Sequence, residues 1–178
     1  MAPASEASDA HRETEASLTL RPATDADWTR LHHWLRQEEI QRWWGSLSAA
    51  EAEVIAALQA DMGLCSMIEV DRVPIGYAQA LETGVIGRGV PRELTMGTFR
   101  VDLFIGERNR RRQNLGQAAL RLVAAEVFST TMALGLIVIV ALKHEAVVRA
   151  YERAGFRWMR VIDDPLFGPS WLMRLDRP

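Results

Sequence analysis

The chain has 178 residues, 48% of them hydrophobic, and a formal net charge of −2; that length suits one domain with a sizeable core, and the charge excludes general nucleic-acid binding, which rests on accumulated Lys and Arg. A single cysteine, Cys65, excludes an intramolecular disulfide and a cysteine-based zinc cluster. No apolar run reaches the length of a membrane span, and residues 1–16 lack the apolar core of a signal peptide, so a cytoplasmic protein is expected.

Residues 1–16 are polar and predict a disordered tail ahead of a single domain over 17–178. Alternation over residues 17–21 predicts a first strand, stopped by Pro22. Thr24-Asp25-Ala26-Asp27 has capping-box spacing, with Asp where Glu is usual. The helix after it buries Trp28, Leu31, Trp34 and Leu35. Residues 40–45 read as a short aromatic segment. Ser48-Ala49-Ala50-Glu51 carries a cleaner capping signal and starts a helix to about residue 60. Two strands, 65–70 and 74–81, meet at Asp71-Arg72. A Gly-rich loop follows over 83–92, then a long strand over 94–105 kinked at Gly97. A helix over 114–128, a fully buried strand over 136–142 and a short helix over 145–154, ended by Gly155, come next. Strands over 156–162 and 171–175 close the chain. This order predicts an α/β fold of the mixed α+β kind: one twisted mixed sheet of about six to seven strands flanked by about four helices.

The run Arg110-Arg111-Arg112-Gln113-Asn114-Leu115-Gly116-Gln117 joins the long strand to its helix. A helix start leaves backbone N–H groups without intrahelical partners, and its dipole is positive there. Three arginines beside it make the run suitable for a pyrophosphate or similar anion; the plainer reading is a solvated loop. In the strand before it, alternation puts Phe99, Val101, Leu103 and Ile105 on one face and Arg100, Asp102 and Phe104 on the other. Asp102 can orient an amine or accept its proton, or can simply pair with Arg100 or Arg121. Tyr151 shares a face with Val147 and Val148, as a core tyrosine or as a proton donor. Trp43-Trp44-Gly45 is either core aromatic material or the wall of a pocket for sugar rings or cations. His144 heads the last helix, capping it or touching a cofactor. His11, His32 and His33 show no metal-ligand spacing, and no metal is expected.

Taken together, Arg111-x-x-Asn114-x-Gly116 and Tyr151-Glu152-Arg153-Ala154-Gly155-Phe156 resemble the acetyl-CoA-dependent N-acetyltransferases of the GNAT type. Asn114 stands where their Gln/Arg-x-x-Gly-x-Gly/Ala motif has its first glycine. The resemblance covers most of residues 17–176. Leu18-Thr19-Leu20-Arg21, Trp34-Leu35, Ile40, Trp43-Trp44-Gly45, Pro74-Ile75-Gly76-Tyr77-Ala78-Gln79, Asp102 and Leu115-Gly116 make the chain similar in particular to aminoglycoside 6'-N-acetyltransferases.

That resemblance implies acetyl-CoA as co-substrate, held by Leu103, Phe104 and Ile105, by Arg110, Arg111, Arg112, Gln113, Asn114, Leu115, Gly116 and Gln117, and by His144. A backbone N–H of residues 103–105 would stabilise the oxyanion. Asp102 would be the acidic residue near the reacting amine, and Tyr151 the proton donor to the departing thiolate. Trp43, Trp44, Tyr77, Gln79, Glu93, Asp163 and Asp164 would bind the acceptor. A monomer or homodimer is implied, acting on a small-molecule amine without nucleic acid or membrane. The acceptor would be the 6'-amine of an aminoglycoside, giving antibiotic resistance. The alternatives are a lysine-type siderophore precursor or other small amine, or a non-catalytic CoA-binding module. Aminoglycosides are polycations that carboxylates must match. Residues 83–92 hold none and carry Arg88 and Arg92, so Asp163 and Asp164 are left to supply part of that charge.

Overall fold

The computed structural model describes residues 17–60, 63–83, 94 and 96–178; the expectations for residues 1–16, for Glu93 and for most of the loop before it lie outside the described residues. The elements run β1 (Leu18–Pro22), a 3-10 turn (Asp25–Asp27), α1 (Trp28–Leu35), α2 (Glu38–Trp44), α3 (Leu47–Gln59), β2 (Gly63–Val70), β3 (Val73–Glu82) and β4 (Thr98–Ile105). A second 3-10 turn (Arg108–Arg110), α4 (Leu115–Thr130), β5 (Gly135–Ala141), α5 (Glu145–Arg153), β6 (Arg157–Asp164) and β7 (Gly168–Asp176) follow. The seven strands form one sheet in the order β1-β2-β3-β4-β5-β7-β6. Every neighbouring pair is antiparallel except β4 and β5, which are parallel.

The strand count agrees with the sequence reading, but the described residues hold five α-helices rather than four. The extra one is α2. Glu38 and Glu39 in its first turn suit the helix dipole, and Ile40 and Trp44, four apart, share its buried face. Gly45 ends it at φ +83°. Two other expectations shift. Ser46, not Ser48, caps α3, its Oγ accepting from the Ala49 N–H at 3.4 Å, while Glu51 instead meets His32 Nδ1 at 2.6 Å. β4 begins at Thr98, because Gly97 at φ +63° turns the chain into the strand rather than kinking it midway. The Thr24 capping box forms, with the Thr24 N–H donating to Asp27 Oδ2 at 2.9 Å.

Two layers sandwich the sheet. On one face α1, α2 and α3 bury Leu31, Trp34, Leu35, Ile40, Trp44 and Val54 against Met67, Tyr77 and Phe104. On the other, α4 buries Leu120, Val123 and Val127 against Ile68, Ala78, Val101 and Val138, with α5 at its margin. Each such aliphatic side chain contributes roughly 1.5–3 kcal/mol of transfer free energy. The described helices include none long and apolar enough to cross a membrane.

One irregularity positions everything that follows. β4 pairs with β5 only at Thr98–Gly135, Phe99–Leu136 and Arg100–Ile137, and beyond Arg100 the two strands diverge. From there on a cleft separates the two strands in the middle of the sheet.

Candidate active site

Past Arg100, one edge of β4 has lost its partner. Strand alternation decides which backbone groups line it. The Gly106 N–H points to β3, donating to the Ile75 carbonyl at 2.8 Å, whereas the Ile105 carbonyl points the other way and accepts from Arg111 Nε at 2.8 Å. Residues of Ile105's parity, Val101 and Leu103, therefore turn their N–H and C=O groups into the cleft, and Phe104 turns its own toward β3. Of the three backbone positions expected from the resemblance, Leu103 and Ile105 face the cleft. Phe104 instead delivers its ring to the core, 5.2 Å from that of Trp44.

The loop from β4 to α4 lies at the mouth of this cleft. Arg111 holds it in place: its guanidinium bonds the carbonyls of Ile105 and Gly106 and reaches Gln37 and Glu39 on the α2 side. Gln113 closes the loop on itself, donating to the Asn109 carbonyl at 2.9 Å. Arg112 and Asn114 both sit at positive φ, +62° and +58°. Asn tolerates that region better than most residues, so Asn114 takes up the conformation for which glycine is usual. Asn114 is the N-cap of α4, and its side chain makes no capping bond. The backbone N–H groups at the start of the helix, Leu115, Gly116 and Gln117, are thus left as donors.

Gly116 leaves this helix start uncrowded. A Cβ there would meet only Leu103 Cδ1, at 3.8 Å, an ordinary contact. Internal packing does not require this glycine, which costs the helix stability; it keeps the surface over the N–H donors open. Arg110 and Arg112 make no side-chain bonds among the described residues. Bare donors, an open surface and two free cations fit a pyrophosphate. A cavity of about 930 Å³ on the α1 side of the loop is lined in part by His33, Arg36, Arg108 and Arg112.

Across the cleft, the face of β4 turned toward α3 carries the candidate chemistry. Asp102 pairs with Arg100, Nε to Oδ2 at 3.0 Å and Nη2 to Oδ1 at 3.1 Å. Opposite Asp102 in register stands Gln79, which accepts from Tyr77 Oη at 3.2 Å and donates to Glu53 Oε1 on α3 at 2.8 Å. Tyr77 and Gln79 are fully buried, so they form the support beneath the floor rather than its surface. Glu53 and Asp164 add negative charge around Arg100, next to that of Asp102, and help to hold the Arg100 proton. Asp164 also accepts the N–H groups of Leu166 and Phe167, both at 2.9 Å, and so fixes the β6–β7 turn. Asp163 is exposed beside it.

Tyr151 reaches the cleft from the opposite layer, its ring 5.7 Å from that of Phe156. Burial pushes its phenol up, and the charge of Asp102 adds to the shift while Arg100 opposes it. The hydroxyl has no hydrogen-bond partner among the described residues. The two tryptophans divide. Trp44 is core, 7% exposed, whereas Trp43 is 39% exposed and lies on the ring of His144, with centroids 4.0 Å apart. This contact joins the end of α2 to the start of α5 beside a cavity of about 680 Å³. Burial, and then the Lys143 charge, lower the His144 pKa.

Glu53 carried no signal in the sequence, because the phase of α3 against the sheet is not readable from spacing. Arg100 was visible only as a partner for Asp102.

The arrangement has relatives. The model of the family described as acetyltransferase (GNAT) domain matches residues 23–164. The aminoglycoside N(6')-acetyltransferase type 1 of Klebsiella pneumoniae is 26% identical over 165 residues, which span 88% of this chain and 82% of that protein. The crystal structure of aminoglycoside acetyltransferase AAC(6')-Ib in complex with coenzyme A and kanamycin superimposes with a TM-score of 0.78 at 25% identity, covering 90% of this chain and 95% of that one. The structure of AAC(6')-Ib with paromomycin and acetyl-CoA gives 0.79 at 25% identity, covering 90% and 94%.

Proposed function

Since the chain belongs to the acetyltransferase (GNAT) domain family, and is an acetyltransferase with acetyl-CoA as co-substrate, we propose that it acetylates a primary amine, the 6'-amine of an aminoglycoside first among the candidates, as a cytoplasmic resistance enzyme. The observation that carries this reading is the divergence of β4 from β5 after Arg100. It sets an unpaired backbone edge and an uncapped helix start on one side of the cleft, and three carboxylates on the other.

Bound acetyl-CoA supplies an acetyl thioester. The N–H groups at the start of α4 and the guanidiniums of Arg110 and Arg112 hold its pyrophosphate. The backbone N–H groups of Leu103 and Ile105 offer donors to a carbonyl oxygen laid along the free edge. Glu53, Asp102 and Asp164 attract the cationic amine, and Asp102 orients it and takes up, directly or through water, the proton it must lose before its nitrogen can attack the thioester. Tyr151 serves as the acid: its phenol is protonated at neutral pH, and its hydroxyl can donate a hydrogen bond or a proton to a departing thiolate, burial having pushed its pKa up and so weighted the role toward hydrogen-bond donation. Trp43, at the rim, offers a flat face to a sugar ring or a cation.

A second reading, a small amine such as a lysine-type siderophore precursor, is favoured by the Arg100–Asp102 pair, which cancels one of the three negative charges. Release of free CoA thiol from acetyl-CoA, measured with kanamycin, lysine derivatives and polyamines, separates the two. Release with kanamycin is the expected result. Release only with another amine keeps the chemistry and moves the acceptor, and no release with any amine defeats the proposal.

A further inference from the structure

Arg100 is placed unlike the other cations of the molecule. It stands at the last register position shared by β4 and β5, opposite Ile137, so its side chain leaves the strand at the vertex of the cleft. The side chain is 17% exposed. Nε and Nη2 are spent on the two oxygens of Asp102, a fork-to-fork pairing that fixes the plane of the guanidinium. Nη1 has no partner among the described residues. The described residues contain no buried side-chain polar atom left unpaired, so Nη1 is not sealed from solvent, and it belongs to a side chain that leaves β4 where its pairing with β5 ends.

The floor therefore presents a carboxylate that takes an amine and, beside it on the same rigid pair, a charged N–H pointing at whatever flanks that amine. A second ammonium brought there is repelled, and a methylene leaves the donor unpaired, which is costly in a half-buried site. An ether, hydroxyl or carboxylate oxygen satisfies it. From this geometry we infer that Arg100 determines acceptor specificity, selecting amines that carry an oxygen acceptor within a few bonds of the reacting nitrogen, as amino sugars and amino acids do and simple polyamines do not. The inference rests on the amine-acetylation reading and deepens it.

The test uses a matched pair of acceptors, tetrahydropyran-2-ylmethylamine and cyclohexylmethylamine, which differ by one ring oxygen. Values of kcat/KM are taken for both with the full chain and with Arg100→Gln and Arg100→Lys. The ratio for the pair is internal to each preparation, so a partly folded variant still reports it. Comparing ratios between variants also cancels the intrinsic difference between the two amines. The expected ratio in the unaltered enzyme exceeds that of Arg100→Gln by about tenfold or more, the value of one charge-assisted hydrogen bond, with the KM for acetyl-CoA unchanged. Arg100→Lys should fall between them.

The same ratio in all three proteins would overturn the inference. So would loss of all turnover in Arg100→Gln with an unaltered ratio in Arg100→Lys. Turnover of kanamycin with indifference to the ring oxygen overturns this inference alone, whereas no thiol release with any amine sinks the acetyl-transfer reading beneath it as well.

Discussion

Tyr151 and Asp102 come from opposite layers of the molecule, and the two side chains sense each other only because the sheet parts between them. Tyr151→Phe keeps the ring in the core beside Phe156 and removes only the hydroxyl. Turnover should drop about 100-fold, within the usual range for a positioned acid, while CoA affinity by calorimetry stays as it was. An equal loss in both would reduce Tyr151 to a packing residue. His144 offers a different lever. Its folded pKa lies below the ordinary 6.5, so the unfolded chain binds the proton more readily. Stability should then be fully present above 6.5 and decline as pH falls through and below it. Unfolding free energies across about pH 5 to 8 should show this slope in the wild type. Part of it should vanish in His144→Gln, and an unchanged slope would exclude His144 as its source. Both residues were visible in the sequence. What spacing could not give is which of two readings each would take, because that depends on neighbours from distant segments, Trp43 for His144 and Asp102 for Tyr151.

Among the elements, α4 carries in its first turn a glycine that internal packing does not require. Gly116→Ala should make the protein more stable, by roughly 0.5–1 kcal/mol, since alanine is the better helix former and its methyl meets only Leu103 at 3.8 Å. The motif accepts alanine at this position, so CoA binding should hold in that variant, whereas the bulkier Gly116→Leu should crowd the N–H donors and weaken it. Denaturant unfolding and a CoA titration on each variant check both halves, and a Gly116→Leu protein that binds CoA as before would remove Gly116 from the site. The elements were legible in proportion to their periodicity. The strand and helix flanking Arg110 to Gln117 were clear, for there a buried face alternates and then repeats at helical spacing. α2 was not, because seven residues with two adjacent tryptophans give too short a window for period. The cap of α3 was missed because Ser46 and Ser48 both precede an apolar run, and only the fold selects between them.

For the molecule as a whole, the order of elements implied one mixed sheet between helices, and the sheet has that form. Composition did not reveal the incomplete pairing of β4 with β5, since a parallel partner separated by a whole helix leaves no local trace of where its register ends. That seam is also a boundary in time. Apart from the short β4–β5 ladder, β1 to β4 pair only with one another, each with its neighbour in sequence, and are complete by Ile105, so this half-sheet needs nothing synthesised later in order to zip together. At roughly 5–20 residues per second, the stretch from residue 106 to residue 178 takes about another 4 to 15 s to emerge. Through that interval the apolar surface of Ile68, Val70 and Val101, which α4 will cover, is open to water. The nascent half-sheet, rather than the finished protein, is the form that most needs a chaperone. The cleft that later admits a cofactor is the line along which an early half of the molecule meets a late one.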